Sequence, residues 1–291
     1  MGSKESKPVE SIPDFDTPWR SVDWTKKEDL EEELTDIQLN HPELRHVRIL
    51  LHGPVGAGKS CFINSVQSVF KGEIITMAGE ESCANKSFTK RYKSHTFINS
   101  NSETLPFIIN DALGLEKGES NGIDPEDIVS ALKGHITEGY KFNPISPRCE
   151  EDQDFIREPT LKNKVHCLVS VVPANAISRM DDSLIQKMKY IRKKATDLGI
   201  PNVVVMTKVD ADVCPLVNKD LTQIYISRKI KEKMQDCENR LGPPMKSIFP
   251  VSNYHEETET NNTKDVLILT ALLQIVKCAK EYVSRQHTTR E

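Results

Sequence analysis

Hydrophobic residues along the chain fall into short unbroken runs, separated by stretches in which they recur every three or four positions. The runs are rich in Val, Ile and Leu, as is typical of central strands in a parallel sheet. They cover residues 47–51, 105–109, 165–172, 202–206 and 248–251. One further segment, residues 91–99, alternates between polar and apolar positions and predicts an edge strand.

The stretches between these runs predict helices, because their apolar residues line one face at helical spacing. They cover residues 61–70, 125–140, 183–198, 222–241 and 264–283. Strands that alternate with helices favour an α/β fold with helices on both faces of the sheet, and hence three layers. We expect the sheet to be mostly parallel, with one antiparallel edge strand.

Three regions lie outside the predicted elements. Residues 1–44 are polar and charged, and they predict an N-terminal tail with a short helix. Residues 141–163 hold three prolines and many charges, and they predict a loop insertion within a domain of residues 45–285. Residues 286–291 predict a C-terminal tail.

Composition narrows the class of protein. Hydrophobic residues make up 37% and charged residues 28% of the 291 residues, which is typical of a globular domain. The net charge of -4 gives no basic footprint, so we expect no nucleic-acid partner. The seven cysteines contain no Cys-x-x-Cys pair, which argues against a disulfide framework and a zinc site. Together with a polar N-terminus that lacks a signal-peptide pattern, these features predict a cytoplasmic protein.

The first predicted strand and helix are joined by a glycine-rich loop. Residues 53–60 read Gly-Pro-Val-Gly-Ala-Gly-Lys-Ser and match the pattern G-x-x-x-x-G-K-(S/T). In this pattern successive backbone N–H groups wrap a phosphate chain at a helix N-terminus, Lys59 contacts the phosphates, and Ser60 is a ligand of Mg²⁺. The loop therefore predicts a nucleotide site formed by Gly53, Val55, Gly56, Ala57, Gly58, Lys59, Ser60 and Cys61.

A second motif, Asp111-Ala-Leu-Gly114, follows the predicted strand 105–109. A carboxylate at that strand end can hold Mg²⁺ through water, and the N–H of Gly114 can meet a γ-phosphate. These two motifs resemble those of P-loop GTPases, and the resemblance implies a threonine that binds Mg²⁺ directly between the first helix and the edge strand, where Thr89 is our choice and Thr96 the alternative. The predicted metal ligands are Ser60, Thr89 and Asp111.

Two further motifs predict the base that is bound. In Thr207-Lys-Val-Asp210, Asp210 can accept both hydrogens of the guanine N1 and N2 edge, which adenine does not offer, while Lys208 can lay its stem along the base. Ser252 and Asn253 follow the last strand, and their loop can close on the base through backbone groups.

These four motifs, each after a predicted strand, resemble the G1, G3, G4 and G5 elements of P-loop GTPases. Thr207 replaces the commoner asparagine of G4, as in the dynamin-like and septin-like branches. The resemblance implies a Ras-like fold that binds GTP or GDP with Mg²⁺ at the carboxyl ends of the strands.

Hydrolysis is a separate question. Leu115 stands where small GTPases carry a glutamine that orients water, and leucine cannot orient water. Two alternatives therefore stay open, a GTP-dependent switch with slow hydrolysis and a nucleotide-binding scaffold without significant hydrolysis. No catalytic residue is assigned. An ATPase or nucleotide kinase is disfavoured by the Thr207–Asp210 motif.

Two longer segments, Leu51–Ser60 and Phe15–Arg20, resemble the interferon-induced protein 44-like family, especially its short fish forms that lack a TLDc domain. About 45 residues precede the first predicted strand, too few for that domain. The resemblance implies an interferon-induced protein of innate immunity with an antiviral or inflammatory role, and with unidentified protein partners in immune signalling. We also expect a nucleotide-dependent dimer.

The first residues match the N-myristoylation pattern M-G-x-x-x-(S/T), with Gly2 as the acceptor. One acyl chain gives only weak membrane association, and Lys4 and Lys7 add little to it. An ordinary polar tail is the alternative interpretation.

Overall fold

One mixed sheet forms the centre of the described part of the chain. The computed structural model describes residues 14–39, 41–76, 91–118, 122–143, 149–152, 155–211 and 213–288. The strands are β1 (Val47–His52), β2 (Lys93–Ile98), β3 (Thr104–Asp111), β4 (Cys167–Pro173), β5 (Asn202–Thr207) and β6 (Ile248–Pro250). Their order is β2-β3-β1-β4-β5-β6, and each neighbouring pair is parallel except β2 with β3. The predicted sheet, with its antiparallel edge strand, is confirmed.

Helices cover both faces of the sheet. They are α1 (Lys27–Thr35), α2 (Lys59–Lys71), α3 (Pro125–Lys133), α4 (Asp182–Asp197), α5 (Pro215–Lys219), α6 (Arg228–Leu241) and α7 (Asn262–Thr288). On one face α7 packs against α1 and α2, and on the other α4 packs against α3 and α6. The central strand β4 is buried along its whole length, as a strand covered on both faces should be. Among the described residues, no helix combines the length and the apolar character that crossing a bilayer requires.

Two predicted helices differ from the structure. Helix α3 ends at Lys133, seven residues before the predicted end, because Gly134 takes a left-handed conformation with φ of 88° and caps the helix. The stretch 222–241 is divided into a 3₁₀ turn, Leu221–Tyr225, and helix α6. Ser227 separates the two, since its hydroxyl accepts a hydrogen bond from the N–H of Ile230 and begins a new helix.

The N-terminal segment, defined here as residues 14–39, is packed against the domain, although its composition predicts a tail. Leu34 in α1 is fully buried against the same core as the sheet. The Arg20 guanidinium donates hydrogen bonds to the carbonyl oxygens of Ile248 and Met245, both at 2.8 Å. The neighbouring Trp19 also contacts the domain. Its ring meets the Tyr225 ring edge-on, with the two ring centroids 5.1 Å apart. A few apolar and planar side chains hold a segment that is otherwise polar.

Candidate nucleotide-binding site

The glycine-rich loop leaves β1 in a conformation that requires glycine. Gly53 has a φ of 150°, and a Cβ atom there would lie 2.2 Å from the carbonyl oxygen of Val171 on β4. Gly56 and Gly58 are also left-handed, with φ of 73° and 89°. These three glycines turn the chain from the carboxyl end of β1 into the first turn of α2.

The loop presents a set of backbone donors at the start of α2. The N–H groups of Gly56, Gly58, Lys59 and Ser60 make no hydrogen bond with any described residue. Converging N–H groups at a helix N-terminus form a site for an anion, because the helix dipole adds to their partial positive charges. The geometry therefore suits a phosphate group.

Lys59 is buried beneath this loop, with 7% of its surface exposed. Its ammonium donates to the carbonyl oxygens of Pro54, at 3.1 Å, and of Gly53, at 3.3 Å. An ammonium has three donors, so one remains for a ligand. Burial lowers the pKa of Lys59, and the charge of Asp111 partly opposes that change. A bound phosphate would supply further negative charge beside the Lys59 ammonium.

The structure brings together Ser60 and Asp111, which belong to two separate motifs. The Ser60 hydroxyl donates to Oδ2 of Asp111 at 3.1 Å, and Asp111 is 2% exposed. A hydroxyl and a carboxylate are the hard oxygen donors that Mg²⁺ prefers. Thr89 lies outside the described residues, so its assignment stays a prediction. Thr96 lies in β2 opposite Ile108 with an exposed side chain, as a residue of the strand pairing.

Leu115 is joined to the glycine-rich loop by its backbone. Its N–H donates to the carbonyl of Gly53 at 3.0 Å, and its carbonyl accepts from the N–H of Val55 at 3.1 Å. Gly114 packs directly on Val55, since a Cβ at position 114 would lie 2.7 Å from the Val55 side chain. The Leu115 side chain is 1% exposed and belongs to the core. It is therefore a packing residue rather than one that faces the phosphate site.

Lys187 on α4 fixes the chain that follows Leu115. Its ammonium donates to the carbonyl oxygens of Glu116, at 3.1 Å, and Gly118, at 2.6 Å. The sequence did not indicate this contact, because a lysine on an amphipathic helix is usually solvated. The segment between Gly114 and Gly118 is thus held from both sides.

The base-recognition motifs contact the glycine-rich loop directly. The Thr207 hydroxyl donates to the carbonyl of Ala57 at 2.6 Å, and the Asn253 amide donates to the carbonyl of Gly58 at 3.1 Å. Both acceptors belong to the turn that begins α2. The side chains of Thr207 and Asn253 therefore connect the ends of β5 and β6 to the phosphate side of the site.

Asp210 is held by two residues on one of its oxygens. The Ser252 hydroxyl donates to Oδ2, and the Lys264 ammonium lies 3.5 Å from the same atom. Oδ1 accepts no hydrogen bond from the described residues, which leaves it for a donor such as a purine edge. Lys208, two residues earlier, has a φ of 57° and an exposed side chain. A lysine in this strained conformation is typical of functional loops.

Besides Lys187, two residues beside the site, Lys264 and His52, were not predicted to contribute to it. Lys264 belongs to α7, and its position beside Asp210 depends on how that helix packs. His52 ends β1 immediately before the loop, and its Nε2 lies 2.7 Å from the Ser170 hydroxyl. Burial, with a smaller contribution from the charge of Lys59, lowers the pKa of His52 to about 3, so its ring is neutral.

The chain is similar over most of its length to interferon-induced proteins. It is 35% identical over 241 residues to interferon-induced protein 44 of Mus musculus, which covers 82% of this chain and 56% of the relative. It is 34% identical over 238 residues to interferon-induced protein 44-like of Homo sapiens, which covers 81% of this chain and 52% of that relative. The chain therefore spans about half the length of the curated relatives it matches. No protein-family model matches it.

Among solved structures, one of the chloroplast translocon components atToc33 and psToc159, whose GTPase activity depends on dimerization, aligns with a TM-score of 0.50. The alignment covers 92% of this chain and 96% of that chain, at 13% sequence identity. At that identity the likeness concerns the fold, and it confirms the predicted P-loop GTPase-like architecture.

Proposed function

Because the chain belongs to the interferon-induced protein 44 family over the residues that align, we propose that it is a guanine-nucleotide-binding protein of the interferon response. In this proposal the loop of residues 53–60 holds the phosphates, and Asp210 recognises the N1 and N2 edge of guanine. Lys208 covers one side of the base. The direction of the immune effect and the protein partners are left open.

The observation that carries the proposal is the connection between the phosphate and base sides of the site. Thr207 and Asn253 donate to the carbonyl oxygens of Ala57 and Gly58, within the same turn. Asp210 lies three residues after Thr207, and its partner Ser252 comes directly before Asn253, so all four residues belong to the same two strand ends. The glycine-rich loop is thereby connected to the two strand ends that carry the carboxylate acceptor, which supports one nucleotide contacting both.

Exchanging the acceptor at position 210 tests base recognition. Asp210→Asn replaces an acceptor by a group that also donates, so it should lose guanine and gain xanthine, which has an oxygen where guanine has the N2 amino group. We expect about 100-fold weaker binding of GDP and tighter binding of xanthosine diphosphate, measured by calorimetry. Asp236→Asn, at a half-buried carboxylate of α6 that accepts from the Ser178 hydroxyl, is the matched control. Equal GDP binding by wild type and Asp210→Asn would refute the proposed role of Asp210.

Magnesium is part of the proposal, with Ser60 and Asp111 as the described residues that would hold it and Thr89 as the predicted third. A bound Mg²⁺ would neutralise phosphate charge. The Ser60 hydroxyl already points at the Asp111 carboxylate, so little rearrangement of these two side chains is needed. Ser60→Ala should weaken GTP binding in magnesium and leave binding in a chelator unchanged. A GTP affinity that does not depend on magnesium would count against this part.

Hydrolysis divides two versions of the proposal. The pairing of Leu115 with Gly53 and Val55, and its buried side chain, favour a nucleotide-binding scaffold without significant turnover. The other version is a switch with slow hydrolysis by a group outside this loop. Single-turnover release of phosphate from bound GTP, with and without cell extract, separates the two. Release faster than the uncatalysed reaction, and lost in Lys59→Met, supports the switch.

The remaining parts of the proposal concern location and assembly. We place the protein in the cytoplasm, with weak membrane association through myristoylated Gly2, which lies outside the described residues. Labelling with an alkyne myristate analogue should mark wild type and not Gly2→Ala, and equal labelling would exclude acylation at Gly2. A nucleotide-dependent dimer predicts a rise in molar mass on adding GTP and magnesium, measured by light scattering.

A further inference from the structure

The first turn of α7 lies directly behind the base-recognition loops. From this turn, Lys264 extends toward three partners. Its ammonium donates to the carbonyl of Asn253 at 3.2 Å, lies 3.5 Å from Oδ2 of Asp210, and forms an ion pair with Glu257. The Lys264 side chain is 13% exposed. One cation thus joins the loop after β5 to the loop after β6.

The geometry assigns Lys264 as a positioning residue for base recognition, a role that rests on the proposed guanine site. Asp210 alone can rotate about its side-chain bonds, and a carboxylate must be aligned to accept two parallel donors. Ser252 and Lys264 both hold Oδ2, which fixes the plane of the carboxylate. The contact with the Asn253 carbonyl also sets the distance between the two loops.

The next residue, Asp265, anchors the same turn from the opposite side. It is fully buried, accepts from the Tyr254 hydroxyl at 2.6 Å, and forms an ion pair with Lys27 of the N-terminal segment at 2.8 Å. The Asn262 amide donates to the carbonyl of Trp24 at 2.7 Å. Because the turn is fixed on both sides, the Lys264 ammonium has a defined position rather than that of a mobile surface lysine.

A simpler role for Lys264 is a structural link between α7 and its neighbours. The two roles differ in what they do to the base. Loss of a structural link should weaken the binding of all nucleotides alike. Misalignment of Asp210 should instead weaken mainly its contact with the guanine N2 amino group. Inosine nucleotides lack that amino group and keep N1–H. The ratio of GDP to IDP affinity therefore reports the alignment of Asp210.

Calorimetric titration of GDP, IDP and ADP into nucleotide-free protein tests the assignment. We expect wild type to bind GDP more tightly than IDP, and both more tightly than ADP. Lys264→Met should weaken GDP about 10-fold and reduce the GDP to IDP ratio several-fold, the range expected for one charge-assisted contact. Lys264→Arg should restore most of that ratio. Lys277→Met is the matched control, since Lys277 lies on α7 and pairs with Glu33 at 2.6 Å on the surface.

Each outcome is decisive. An unchanged GDP to IDP ratio in Lys264→Met overturns the positioning role and leaves the guanine site intact. Equal binding of GDP and ADP by wild type overturns the proposed function, and this inference with it. Lys264→Gln, which keeps a hydrogen-bond donor, serves where Lys264→Met does not fold, and it should show the same fall in the ratio.

Discussion

The two ends of the candidate site are built in different ways. The proposed phosphate end comes from one contiguous stretch, residues 53–60, and presents mainly backbone N–H groups. The base end is assembled from the ends of β5 and β6, the first turn of α7 and, behind them, the N-terminal segment. A contiguous backbone site depends on local conformation, whereas an assembled side-chain site depends on how distant elements pack. The two ends should therefore respond differently to substitution.

The largest effect is expected at the first glycine of the phosphate end. Gly53→Ala places a Cβ atom 2.2 Å from the Val171 carbonyl, so β1 and β4 must separate. We expect a loss of about 4 kcal/mol in the free energy of unfolding and no measurable GDP binding. Urea denaturation followed by circular dichroism measures the first. Gly199→Ala, also left-handed but in open space, should cost only about 1 kcal/mol.

Lys59→Met tests the difference between the two ends through the affinities for different nucleotides rather than through the free energy of unfolding. In the proposed site the lysine contacts the phosphates and not the base, so the binding of GDP, IDP and ADP should weaken alike, by about 100-fold, or about 3 kcal/mol. The ratio between GDP and IDP should stay that of wild type. Lys208→Met, at the base end, is the comparison. A Lys59→Met protein that loses GDP selectively would contradict the division into two ends.

Arg20→Lys tests whether the base end extends to the N-terminal segment. Lysine cannot donate to the Ile248 and Met245 carbonyls at once with the geometry of a guanidinium. We expect a cost of about 2 kcal/mol in the free energy of unfolding, with weaker GDP binding through β6. Arg285→Lys, at an exposed pair on α7, should leave both unchanged. If Arg20→Lys kept the stability and the GDP affinity of wild type, the N-terminal segment would not contribute to the base end.

The last prediction concerns acid and a histidine that belongs to neither end of the site. His166, at the amino end of β4, accepts from the Arg48 N–H through Nδ1 and donates to the Leu161 carbonyl through Nε2, so it must be neutral. Burial, followed by the charges of Arg48 and His41, lowers its pKa to about 4 despite the opposing Leu161 contact. Stability contributed by the neutral ring is complete above about pH 6.5 and falls as the pH drops toward 4.

The corresponding measurement is the free energy of unfolding between pH 7 and pH 5. We expect His166 to account for a loss of about 2 kcal/mol over that range. His166→Gln should be less stable at pH 7 but lose less on acidification. His255→Gln, at an exposed residue, should follow wild type. A wild-type slope in His166→Gln would show that the ring is not the titrating group.

The sequence indicated the conformation of the glycine-rich loop and the sheet better than it indicated the contacts around Asp210, for physical reasons. A glycine in this motif already indicates an unusual backbone conformation, as at Gly53, Gly56 and Gly58. Continuous runs of Val and Ile likewise predict buried strands without any information on packing. By contrast, Lys264 and Lys187 read as ordinary surface lysines of amphipathic helices. Their partners lie 54 (264 − 210) and 71 (187 − 116) residues away along the chain, at Asp210 and Glu116. Only the tertiary fold brings such pairs together.

The N-terminal segment illustrates the same limit. Its charged residues predict a tail with a short helix, and Leu34 and Trp19 are too few to indicate where the segment packs. In the structure they suffice, because each packs against the core of the domain. The helix boundaries missed at Lys133 and Ser227 have local causes, a left-handed glycine and a serine cap, which the sequence contains but which periodicity does not register.

The position of the two tryptophans has a practical consequence. The chain has two, Trp19 and Trp24, and both lie in the N-terminal segment. Trp19 meets the Tyr225 ring beside the Arg20 contact with β6, and the Trp24 carbonyl accepts from α7. Intrinsic tryptophan fluorescence of the unlabelled protein therefore reports on this segment alone. A change in emission during a GDP titration would show, in real time, that the segment senses what occupies the base end.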